Sequence, residues 1–233
     1  MIGELLPESV VAVEAFGEEG VREFGDAPLY PQEEALVARA VAKRRREFTV
    51  VRACARRAME KLGVPAQPVL PGERGAPHWP DGLTGSMTHC EGYCAAALVR
   101  AADLASLGID AEPHEPLPEG VLSAVALPAE AERLGALAAG SPEVHWDRLL
   151  FSAKESVYKA WFPLTRKWLD FSEADIDLVP ATAVGPAGHR HGAFRARLLV
   201  PGPVVGGRRL GHFDGRWTIR RGLVATAVTV HHG

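Results

Sequence analysis

The sequence predicts an α+β protein built as two similar halves. Three observations carry this. Helical patterning gives way to strand patterning, and the same order then repeats. Pro113, Pro116 and Pro118 separate the two series and divide the chain into 1–115 and 116–233. With 233 residues, 47% of them hydrophobic, there is chain enough for one large or two small cores.

The elements follow in order. The apolar run at 10–15 suits a buried strand. From 32 to 62, Ala, Arg and Glu favour one helix, opened after Pro31 and stopped by Gly63 and Pro65. Its apolar stripe is Phe48, Val51, Ala55 and Met59. Residues 63–84 are rich in Gly and Pro and read as loop. Strands follow at 84–89 and 93–99, joined by a hairpin through Cys90-Glu91-Gly92. A third strand at 104–109 delivers Asp110 and Glu112 at its end. Beyond the prolines, 119–139 is helical with a break at Leu127-Pro128. Residues 143–162 form a further helix, which Pro163 ends or kinks. The remainder reads as strands at 175–178, 193–200, 211–220 and 223–230, with turns at Gly185-Pro186 and Pro201-Gly202-Pro203.

Several functional classes fall away. A formal net charge of -3 gives no general drive toward nucleic acid or anionic membrane. No apolar run reaches the roughly 18–20 residues of a membrane span, and the first residues lack a basic, apolar leader. A cytoplasmic monomer with no nucleic-acid or membrane partner is expected. Cys54, Cys90 and Cys94 are too few for a disulfide framework, and no fourth soft ligand completes a zinc site with His89.

Three stretches can carry chemistry. In Phe151-Ser152-Ala153-Lys154-Glu155-Ser156-Val157-Tyr158-Lys159, Glu155 and Lys159 lie four apart on one helix face. The ordinary reading is a surface ion pair. In Gly108-Ile109-Asp110-Ala111-Glu112, alternation sends both carboxylates to one side of a strand, an arrangement able to hold a hard cation such as Mg²⁺. The basic run of Lys43, Arg44, Arg45, Arg46 and Arg52 is either a solvated face or an anion site, because Arg offers forked, permanent donors.

Together with Gly85-Ser86-Met87-Thr88-His89, these stretches closely resemble the larger, Sfp/EntD-like 4′-phosphopantetheinyl transferases, most of all actinobacterial members. The pattern is G-[IV]-D-x-E followed some forty residues later by [FW]-[SC]-x-K-E-[SA]-x-x-K. The resemblance implies a pair of α+β halves related by a pseudo-twofold axis, with coenzyme A in the cleft between them. It implies Mg²⁺-dependent transfer of phosphopantetheine from coenzyme A to a serine of apo acyl or peptidyl carrier proteins, releasing adenosine 3′,5′-bisphosphate.

The resemblance also assigns roles. Asp110, Glu112 and Glu155 would gather around Mg²⁺, with the Ala111 carbonyl as a further contact. Glu155 would be the general base, and Lys154 and Lys159 would neutralise phosphates. Thr88 and His89 would touch coenzyme A near its phosphorylated ribose. Arg52 would bind the 3′-phosphate with Arg44 or Arg45; helix geometry favours Arg45, the family register Arg44. Pro71, Gly72, Glu73 and Arg74 would cradle the adenine side, Arg74 acting where some relatives have Lys at the position of Ala76. Trp168 would wall the pantetheine arm, and 116–128, with Leu117, Val121 and Leu122, would dock the carrier. The alternatives are a Mg²⁺-dependent nucleotide pyrophosphatase, and a non-catalytic coenzyme A or carrier-binding module.

Overall fold

The computed structural model describes residues 1–180 and 189–233; the turn expected at Gly185-Pro186 lies outside them. A 3₁₀ turn (Ile2–Leu5) leads into strand β1 (Val11–Phe16) and helices α1 (Gly17–Phe24), α2 (Pro31–Val37) and α3 (Ala42–Lys61). Strands β2 (Leu83–Cys90), β3 (Tyr93–Arg100) and β4 (Ser106–Pro113) come next. Helices α4 (Val121–Val125), α5 (Pro128–Gly140) and α6 (Trp146–Thr165) follow. The chain closes with β5 (Ala174–Pro180), β6 (Arg190–Leu198), the short ribbon β7 (Val204–Val205) and β8 (Arg208–Arg209), and then β9 (His212–Arg220) and β10 (Leu223–Val230). The fold class is α+β, as expected.

Beside the β7–β8 ribbon, the described residues form a three-stranded sheet in the order β1-β3-β2 and a five-stranded sheet in the order β4-β10-β9-β6-β5. The hairpins β2–β3 and β9–β10 turn at Glu91-Gly92 and Arg221-Gly222. Gly92 and Gly222 have φ of 73° and 71°, the left-handed backbone such turns demand. Helix α3 packs Val50, Val51, Cys54, Ala55 and Met59 against Ala96 and Leu98 of the three-stranded sheet. Helix α6 packs Leu149, Leu150, Val157 and Trp161 against Phe194, Trp217 and Val228 of the five-stranded one. A third core, with Tyr93, Ala95, Ile109, Ala225 and Ala227, lies between the sheets.

Strand β4 falls within the expected first half, yet it pairs along its length with β10, from Leu223↔Pro113 to Val230↔Ser106. On its other side β2 is stitched to it by side chains. The amides of Ile109 and Ala111 donate to Ser86 Oγ and Thr88 Oγ1, each at 3.1 Å.

Local departures from the sequence reading have physical causes. The single helix at 32–62 is two, α2 and α3. The break lets buried Glu33 meet Arg56 at 2.9 Å; in one straight helix residues that far apart would lie about 35 Å from each other. Helix α1 arises where an irregular start was expected. Helix α6 begins at Trp146, runs through Pro163 in its last turn, and stops where Arg166 turns left-handed at φ 56°. Strand β4 continues to Pro113, so Asp110 and Glu112 lie within it rather than at its end.

One device occurs twice. Glu33 accepts from the Tyr30 and Val69 amides and from Arg56. Glu130 accepts from the Leu127 and Ile176 amides and pairs with Lys154. Each Glu is the third residue of a helix opened by proline, fully desolvated, and bound to a cation on the long helix that follows.

Candidate active site

The site forms where β4 meets α6. A Cβ at Gly108 would lie 2.0 Å from the Ser156 carbonyl oxygen and 2.6 Å from the Ala160 nitrogen. Only glycine permits that approach, which brings the strand carboxylates against the helix face carrying Arg148, Glu155 and Lys159, spaced seven and four apart.

Asp110 is the hub. Its Oδ1 accepts from Lys159 Nζ at 2.8 Å and from Thr88 Oγ1 at 3.2 Å. Its Oδ2 is buried and has no hydrogen-bond partner among the described residues. A buried carboxylate oxygen left without a partner is costly, and it is the donor type that a hard divalent cation takes. Lys159 also donates to the Ile109 carbonyl at 3.1 Å. In extended backbone the N–H and C=O of one residue point to the same side. The Ala111 carbonyl, like its amide, therefore faces β2 rather than the β10 ladder.

Charge is concentrated here. Burial pushes the Glu112 carboxyl above its ordinary range; Asp110 adds to the rise and Arg148 opposes it. Burial likewise raises Glu155, with Lys159 opposing and Asp110 adding. Glu112 Oε2 accepts from Arg148 Nη1 at 3.0 Å. The donor set suits a hard cation: Asp110 Oδ2, Glu112, Glu155 and the Ala111 carbonyl. The closed cluster expected of the three carboxylates is not formed, however. Among the described residues no three Asp, Glu, His or Cys side chains are gathered into a metal cage. Lys159 and Arg148 instead hold Asp110 and Glu112.

A basic group adjoins the carboxylates. Arg44 Nη1 lies 2.7 Å from His89 Nε2, and Glu47 lies 3.6 Å from His89 Nδ1. Burial lowers the His89 pKa, and Arg44, Lys159 and Arg52 push the same way while Glu47 opposes them. Burial pulls Arg52 down to about 10; its guanidinium stacks on Phe48 at 3.3 Å and donates to the Val69 carbonyl. Arg45 points elsewhere, to Glu34 on α2. Of the two candidates left open by the sequence, Arg44 is therefore the one that joins Arg52 and His89.

The 71–77 loop is closed by a bridge between Pro71 and Pro77 and by the Gly72 amide bonding to the Ala76 carbonyl at 2.7 Å. Its tip holds Glu73 and Arg74, the latter at φ 53°. The Arg74 guanidinium sits 5.8 Å from the Trp168 ring, and Trp168 packs tilted against Tyr158, the ring centroids 4.9 Å apart. Trp168 is 55% exposed, so this wall faces solvent.

Lys154 does not join the group. Its ammonium is enclosed, 2.8 Å from Glu130 and bonded to the Phe171 and Ala174 carbonyls. Its place on the helix turns it into the core beneath the five-stranded sheet, so it cannot neutralise a bound phosphate without leaving Glu130 unpaired. None of the cysteines is an activated thiolate: burial pushes the Cys54, Cys90 and Cys94 thiols up to about 12. Leu117, Val121 and Leu122 are half-buried, and Leu122 packs on the α6 core. Arg148 was missed in the sequence. For Arg148 the signal was its seven-residue spacing from Glu155.

Comparison with known proteins gives the family. A family model for the 4′-phosphopantetheinyl transferase N-terminal domain matches residues 32–99. A second, for the 4′-phosphopantetheinyl transferase superfamily, matches residues 106–199. The junction between the two matches falls just before β4. The chain is 58% identical to 4′-phosphopantetheinyl transferase Svp of Streptomyces mobaraensis, over 99% of this chain and 89% of that protein. It is 46% identical to 4′-phosphopantetheinyl transferase PptT of Mycobacterium tuberculosis, over 99% of this chain and 98% of that protein. It is 47% identical to 4′-phosphopantetheinyl transferase Npt of Nocardia iowensis, over 98% and 99%.

Proposed function

The chain belongs to the 4′-phosphopantetheinyl transferase superfamily, and on that premise we propose that it moves phosphopantetheine from coenzyme A to a serine of an apo acyl or peptidyl carrier protein. The observation that carries this is the meeting of a carboxylate group and a basic group across β2, β4, α3 and α6. Asp110, Glu112 and Glu155 adjoin Lys159, His89, Arg44 and Arg52.

The serine oxygen bonds to the β-phosphorus of coenzyme A, and the bond from that phosphorus to the bridging oxygen breaks. Adenosine 3′,5′-bisphosphate leaves. Glu155 takes the serine proton, a task suited to a carboxylate whose proton affinity burial has raised. Lys159, fixed between Asp110 and the Ile109 carbonyl, holds an ammonium where phosphate charge accumulates. Arg44, Arg52 and His89 bind the 3′-phosphate end, with Thr88 fixing Asp110 beside it. Pro71, Gly72, Glu73 and Arg74 line the adenine side, and Trp168 walls the pantetheine arm. Asp110, Glu112 and Glu155, with the Ala111 carbonyl, would hold a Mg²⁺ ion, which when bound would supply Lewis-acid stabilisation of the pyrophosphate. The half-buried apolar residues of 116–128 dock the carrier. The working unit is a cytoplasmic monomer that uses neither nucleic acid nor membrane; among the described residues no helix is long and apolar enough to cross one.

The test is to incubate the protein with coenzyme A, Mg²⁺ and an apo carrier and weigh the carrier. A gain of one phosphopantetheine is expected. No gain with several carriers overturns the proposal, and adenosine bisphosphate released without carrier points to the pyrophosphatase instead.

A further inference from the structure

Arg148 stands in the first turn of α6, outside every motif that marked the site. Its guanidinium is largely enclosed, and all three of its donor directions are used. Nη1 donates to Glu112 Oε2 at 3.0 Å, Nε to the Glu115 carbonyl at 3.1 Å, and Nη2 to the Pro116 carbonyl at 2.8 Å. Its neighbours hold the same stretch. Asp147 Oδ2 accepts from the Leu117 amide at 2.8 Å, and the His145 amide donates to His114 Nε2 at 3.1 Å. The start of α6 therefore grips the end of β4 and the linker after it through five hydrogen bonds, and only one of these reaches a residue of the proposed cleft.

We infer that Arg148 is a positioning residue for the transfer reaction: its planar fork holds Glu112 and the 115–116 backbone as one rigid unit, so that Glu112 is fixed in one direction, on the same strand face as Asp110, before any ligand arrives. This rests on the transferase reading above. The reason for arginine is geometric. Two carboxylates on the same strand face repel, and Glu112, nearer the strand end, is the one free to swing toward solvent. A point cation at 148 would offset charge without fixing direction. A guanidinium anchored at two further points in the main chain does both. Glu112 Oε2 is committed to Arg148, which leaves Oε1 for the cleft. The fork also ties the site to the segment that begins at Leu117, so movement of that segment reaches Glu112 through one side chain.

The experiment compares wild type, R148A, R148K, E112Q and the double variant R148A/E112Q. Each is first checked for a folded melting transition, then assayed for carrier loading and for Mn²⁺ binding by electron paramagnetic resonance without coenzyme A. Wild type must load the carrier; if it does not, the transferase reading fails rather than this inference. R148A is expected to lower kcat at least tenfold with the KM for coenzyme A within about threefold, and to weaken Mn²⁺ binding. R148K is expected to stay near R148A, because charge without the fork does not orient Glu112. The double variant is expected to match E112Q within about twofold in both readouts, because Arg148 acts through Glu112. Full rescue by R148K, independent multiplication of the two losses, or unaltered turnover in R148A would each overturn the assignment. If R148A does not fold, R148K and the Mn²⁺ affinities decide on the same criteria.

Discussion

At the scale of single residues, the site holds charge at the expense of stability. Glu112 and Glu155 both have carboxyls raised by burial. A carboxyl raised in the folded state binds protons there that the unfolded chain has already released. The metal-free protein therefore loses stability as pH rises through those values and regains it as pH falls toward the unfolded ones. E155Q should melt higher than wild type at neutral pH without divalent cation, and that advantage should shrink as the buffer is taken toward pH 5. The same variant should lose about 10²–10⁴-fold in kcat, the usual contribution of a general base. A thermal-shift series over pH, read beside carrier loading, checks both signs. Lys154 is predicted to behave in the opposite way. K154M strands Glu130, which is 1% exposed, so unfolding in urea should show a loss of about 3–5 kcal/mol. Turnover per folded molecule should change less than threefold, and a kcat collapse in a fully folded K154M would restore Lys154 to the chemistry.

At the scale of elements, the decisive contact is strand β4 against helix α6. It depends on Gly108, whose added Cβ would overlap the Ser156 carbonyl. G108A should separate the two elements, lowering stability by about 1–3 kcal/mol and turnover by more than tenfold. Denaturant unfolding and steady-state assays measure the two together, and a G108A protein of wild-type stability would refute this account of the glycine. Helices α2 and α5 show how elements were legible or hidden. The break at Leu127-Pro128 was plain in the sequence because proline opens α5. The break at 38–41 carries no proline or glycine. It exists because Glu33 must turn back to Arg56, a demand made by the folded chain alone.

At the scale of the molecule, the three-stranded and five-stranded sheets meet along β2 and β4, and the proposed cleft takes Arg44, Arg52 and His89 from one side and Glu155 and Lys159 from the other. Coenzyme A spanning that cleft should stabilise the whole protein by about 2.7 kcal/mol at a hundredfold excess over its Kd. The 3′-dephospho analogue at the same concentration should stabilise less, and R44A should erase the difference; calorimetry of both ligands against both proteins tests it. Equal binding of the two ligands by wild type would remove the basic group from the 3′-phosphate.

The amino-acid sequence by itself determined the α+β class, most strands, the helical patterning of the two long helices though not where α3 begins, and most of the site's chemical parts. Periodicity, turn residues and the two acidic motifs with their lysines are local properties. Only the tertiary structure decided which parts meet. It sent Arg44 to His89 and Arg45 to Glu34, buried Lys154 against Glu130, placed β4 beside β10, and set Arg148 on Glu112. Adjacent residues on a helix differ by about 100° in direction, so a motif names the candidates while packing chooses which of them reaches the cleft.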